Sequence, residues 1–69
     1  MTIKELTQLH NQLADQITVI NALSARWSRS ITIDEQMKAA IDLENYSNML
    51  RITAEQLATG TRKLYAGEE

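Results

Sequence analysis

The sequence predicts an all-α fold: two long helices in an antiparallel hairpin, with two hairpins expected to associate into a four-helix bundle. Three observations carry this. The chain of 69 residues has no Pro and only two Gly, so nothing inside either candidate helix removes a backbone donor. Thr2-Ile3-Lys4-Glu5 and Thr32-Ile33-Asp34-Glu35 both have the form of a capping box. In that box a Thr hydroxyl accepts from the third amide of the helix, and the Glu reaches back to the cap amide. After each box, apolar residues recur three and four apart, the spacing of one helix face.

The first helix is expected over about residues 3–28. Met1 and Leu6 stand at the positions of a hydrophobic staple around the Thr2 cap. Its apolar stripe reads Ile3, Leu6, His10, Leu13, Ile17, Ile20, Ser24 and Trp27, widened by Leu9 and Leu23. Two polar residues therefore occupy core-type positions. His10 is expected to be partly buried and hydrogen-bonded, and Ser24 to bond back to the carbonyl of Ile20.

A polar link over about 29–32 joins the helices, and so short a connection makes antiparallel neighbours. Ile31, Thr32 and Ile33 are β-branched, but no second strand exists for them to pair with.

The second helix is expected over about 33–66, closed by Gly67 rather than by Gly60. Its seam is Ala39, Leu43, Tyr46, Leu50, Thr53, Leu57, Gly60 and Leu64. Beside the seam runs a row of small residues, Ala40, Ser47, Ala54 and Thr61, which permits close approach of another helix. Met37, Ile41 and Ile52, with Met49 at the edge, form a second apolar patch roughly opposite the seam. One partner helix cannot cover both sides, so the patch is expected to meet a second protomer or a different protein.

Size sharpens that expectation. A single domain of this length buries only about 60% of the surface its unfolded chain exposes. Small proteins compensate with disulfides, a metal or a second copy. There is no Cys and His10 is the only His, which leaves no disulfide and no ordinary structural zinc set. Homodimerisation is the device that remains. The absence of Cys and of an export-signal pattern makes the cytoplasm the expected compartment. No run of residues is long and apolar enough to span a bilayer.

Chemistry-bearing constellations are sparse. His10 has no carboxylate or nucleophile on its stripe, the acids are dispersed, and two glycines do not make a phosphate loop. No enzyme, cofactor, metal site or small-molecule substrate is expected. The one local concentration of interaction-type residues is Arg26-Trp27-Ser28-Arg29, at the hairpin tip. Trp and Arg favour binding hot spots, and these two arginines are the only charges between Gln16 and Ile33. The bland alternative has Trp27 closing the core and Arg26 and Arg29 complementing the dipole of the first helix. Expected pairs at i,i+4 are Arg51 with Glu55 and Lys38 with Asp42.

The two capped helices and their short link make a layout similar to Rop, the plasmid RNA-binding hairpins that dimerise into four-helix bundles. It is also similar to small hairpin chaperones of bacterial secretion systems. The resemblance is one of architecture, and no residue role carries over from it. The compact, Cys-free style suits small accessory proteins of bacteria and their phages.

The expected function is a self-associating, non-enzymatic protein that binds another protein as adaptor, inhibitor or regulator. Arg26, Trp27 and Arg29 are the expected partner contacts, and Met37, Ile41, Met49 and Ile52 the expected oligomer or partner interface. The alternative is a Rop-like RNA-binding regulator using a composite basic surface of the dimer. The net charge of −2 ranks it second.

Overall fold

The computed structural model describes residues 1–67. Two helices, α1 (Ile3–Arg29) and α2 (Ile33–Tyr65), pack against each other as a hairpin, with no strand among the described residues. The hairpin measures 52 × 14 × 11 Å.

Local chemistry sets each helix end. At the start of α1, the Thr2 backbone N–H and hydroxyl both donate to Glu5 Oε1, at 3.2 and 3.1 Å. The Glu5 N–H donates to Thr2 Oγ1 at 3.2 Å, completing the capping box. The second start differs. Thr32 Oγ1 accepts from the Glu35 N–H at 3.2 Å, but the Glu35 carboxylate takes the Ile31 N–H at 3.3 Å instead of the cap amide. Ser30 ends α1: its N–H donates to the Trp27 carbonyl and its hydroxyl to the Arg26 carbonyl. Gly67 follows α2 in the left-handed region at φ 81°, where a side chain would strain the backbone.

The Thr2 hydrogen bonds, backbone first and hydroxyl second, hold the Glu5 carboxyl below the usual carboxylate range. A depressed carboxylate contributes its stabilisation above the unfolded pKa and loses it as pH falls through the folded value. The first turn of α1 is therefore expected to loosen on acidification below the ordinary glutamate range. An NMR titration tests this, with the Glu5 carboxyl midpoint falling below the ordinary glutamate value and the Thr2 amide moving with it.

The interhelical seam follows a 3-4 alternation on both helices. On α1 it runs Leu6, Leu9, Leu13, Gln16, Ile20 and Leu23, all buried or half-buried. On α2 it runs Ala39, Leu43, Tyr46, Leu50, Thr53, Leu57, Gly60 and Leu64, again all buried or half-buried. The α2 seam is the expected one, whereas the α1 seam is rotated. His10 and Ser24 are exposed rather than core residues, and Ile17 is nearly half exposed. Gln16 takes the buried place instead, at 7% exposure. No bond from Ser24 to Ile20 forms; Thr7, Thr18, Ser30, Thr53 and Thr61 are the residues that bond back four positions.

The small side chains of α2 set how closely the helices approach. Ala39 is fully buried and Thr53 is 3% exposed. At Gly60 a Cβ atom would lie 2.6 Å from Met1 Sδ and 2.7 Å from Leu6 Cδ2. Gly60 is thus a contact point for the staple residues, not merely a weak spot in the helix.

Candidate interaction surfaces

Positions seven apart return to the same side of a helix within about 20° per heptad. The hairpin therefore has two broad faces, one on either side of its seam. They differ in chemistry.

On one face a groove of about 370 Å³ is lined by Ser24 and Trp27 of α1 and by Ala40, Leu43, Glu44 and Ser47 of α2. Extending these residues by heptads places Leu6, Leu13, Ile20 and Trp27 on this face, with Ile3, His10, Ile17 and Ser24 beside them. From α2 come the leucine row, Leu43, Leu50, Leu57 and Leu64, and the small row, Ala40, Ser47, Ala54 and Thr61. These four rows contain no Lys, Arg, Asp or Glu, and the charges of this face are Glu44, which lines the groove, and Arg51 one heptad on. The α1 stripe that the sequence suggests as the seam is in fact centred between the seam and this face.

The opposite face carries charge. At the turn end, Arg26, Ser30, Glu35, Lys38, Ile41 and Asp42 line a hollow of about 470 Å³. Arg26 Nη2 donates to Asp42 Oδ2 at 2.8 Å across the helices, both side chains about half exposed. At the far end Ile52 shares a second hollow with Met1, Glu5 and Lys63. Met49 lies in the heptad row of Asp42 between these hollows.

The structure splits the expected tip site. Arg26 and Trp27 are neighbours in sequence, but one lines the charged face and the other the charge-poor face. Lys38 does not pair with Asp42, which bonds Arg26 instead, while Arg51 meets Glu55 at 2.9 Å as expected. Charge is balanced around the tip hollow: Arg26 and Lys38 line it together with Glu35 and Asp42. Sequence reasoning missed Asp42 because its partner lies on the other helix. Of the expected interface residues, Ile41 and Ile52 reach separate hollows, and Met37, Ile41, Met49 and Ile52 are each about half exposed.

An ion pair this exposed contributes at most about 1 kcal/mol. Arg26→Ala is expected to lower stability by that amount or less, and the loss should shrink at high salt. A double-mutant cycle with Asp42→Ala, read by urea unfolding at low and high salt, checks it.

Among the described residues no group of three or more His, Asp or Glu side chains comes together as a metal set. No helix there is long and apolar enough to cross a membrane. No family model, curated protein or solved structure matches this chain.

Proposed function

We propose that this chain is a non-enzymatic, self-associating helical protein that binds another protein as an adaptor, inhibitor or regulator. The observation that carries the reading is the shallow burial of its apolar residues. Among the described residues no large side chain is fully buried, and the one buried hydrophobic residue is Ala39. A core of this kind supplies little stability by itself. Half-exposed Ile and Met side chains on the outer side of α2 leave further apolar area for a partner after the hairpin has paired with a copy of itself. Two hairpins stacked face to face form the four-helix bundle.

Protein is preferred to RNA as the partner. The RNA reading needs Arg26 as a free cation, and its guanidinium is held by Asp42. Glu35 and Asp42 beside Arg26 and Lys38 also oppose a polyanion. Light scattering over a dilution series tests the self-association: the expected result is twice the chain mass at high concentration and dissociation with loss of helix on dilution. A folded monomer at every concentration overturns it. Steeply salt-dependent binding of structured RNA, weakened by Arg26→Ala, would favour the alternative.

A further inference from the structure

Resting on the self-association just proposed, we infer that the second copy covers the charge-poor face with the Trp27 groove, leaving the face with the Arg26–Asp42 pair open. Area supports a missing layer of this size. The hairpin exposes 5262 Å². A folded monomer of its 7.8 kDa is expected to expose about 4,400 Å². The excess, about 900 Å², is close to the roughly 800 Å² that each partner contributes to a standard interface.

Charge selects the face. Docking the charged face would strip water from Arg26, Asp42, Glu5 and Lys63, with desolvation penalties that ion pairs only partly return. The groove of the other face is lined by one charged residue, Glu44, against the four of the Arg26 hollow, and its leucines are half-buried already.

Side-chain size selects the orientation. The α1 row beside the seam is large at Ile3 and Ile17, while the corresponding α2 row is uniformly small. Arg26 lies level with Asp42 and Leu6 with Gly60, so Ile17 lies level with the stretch between Ser47 and Ala54. A two-fold axis along the length of the hairpin brings α1 of one copy over α2 of the other. Ile17 of each copy then enters the gap between Ser47 and Ala54 of the second copy, large into small, at both symmetry-related places.

The Cys-free chain makes the test direct. Ser47 and Asn48 are adjacent and both exposed in the single hairpin. With Ser47→Cys and Asn48→Cys made separately, iodoacetamide is expected to alkylate the first at least ten-fold more slowly at concentrations where the protein is associated. Dilution should equalise the two. Both changes are small and at exposed positions, and circular dichroism confirms that helix is retained.

Equal fast alkylation in a protein that scatters as a dimer overturns the choice of face while leaving self-association intact. A monomer at all concentrations overturns both. For the orientation, mild oxidation of mixed Ile17→Cys and Ala54→Cys chains is expected to give the mixed disulfide. A disulfide of Ile17→Cys with itself would place α1 on α1 and overturn the long-axis arrangement.

Discussion

Gln16→Leu is expected to stabilise the protein by about 1–3 kcal/mol, the usual penalty for a buried polar atom left without a partner. Gln16 is 7% exposed in the middle of the α1 seam, and its Oε1 is buried with no hydrogen-bond partner. Leu keeps the helix propensity and most of the volume while removing the desolvated acceptor. For a chain of this size each kcal/mol moves the melting midpoint by roughly 4–8 °C. Thermal melts followed by circular dichroism check it, at one fixed protein concentration because association itself raises the midpoint. A lower midpoint for the Leu variant would mean that the Gln16 amide is doing something favourable in the seam. Polar residues at seam positions can give up stability to fix the register of helix pairing. A loss of a single set of NMR signals in the Leu variant would identify that role here.

The opposite sign is expected at Gly60. Gly60→Val should destabilise by about 1–3 kcal/mol, the usual range for inserting atoms into a packed contact. The first added carbon already meets Met1 Sδ and Leu6 Cδ2 well inside normal contact distance, and Val brings two further methyl groups. Gly60→Ala separates the two opposing effects. It gains about 1 kcal/mol of helix propensity but still has to displace Met1 and Leu6, so it should be close to neutral. Urea unfolding of both variants checks the pair. If Val and Ala stabilise alike, the staple residues yield without cost and the close approach at Gly60 is not a constraint.

These two residues also mark where the sequence was legible and where it was not. Capping is a local signal, so Thr2 and Thr32 announce the helix starts without reference to the rest of the chain. The seam of α2 is legible because its apolar positions and its small ones, Ala39 and Gly60, fall in one unbroken alternation. The seam of α1 is not. Its apolar stripe is centred between the direction of α2 and the charge-poor face, because an apolar pattern records all the surface that wants covering, not which neighbour covers it. Read as a single seam, that stripe puts His10 and Ser24 inside and Gln16 outside, the reverse of the structure. The division of the tip between two faces was hidden for a related reason. Adjacent residues on a helix point about 100° apart, so Arg26 and Trp27 reach different faces, and the partner that neutralises Arg26 lies sixteen residues away.

The hairpin's pairing pattern also has a consequence for how the chain closes. Contacts near the turn, such as Arg26 with Asp42, join short loops, whereas Met1 and Leu6 reach Gly60 only after nearly the whole chain has been drawn together. Loop-closure entropy grows with the length enclosed. Loop entropy therefore favours pairing outward from Ser30 and makes the Gly60 end the costliest to close. The contacts that cost most to close lie farthest from the turn that joins the helices.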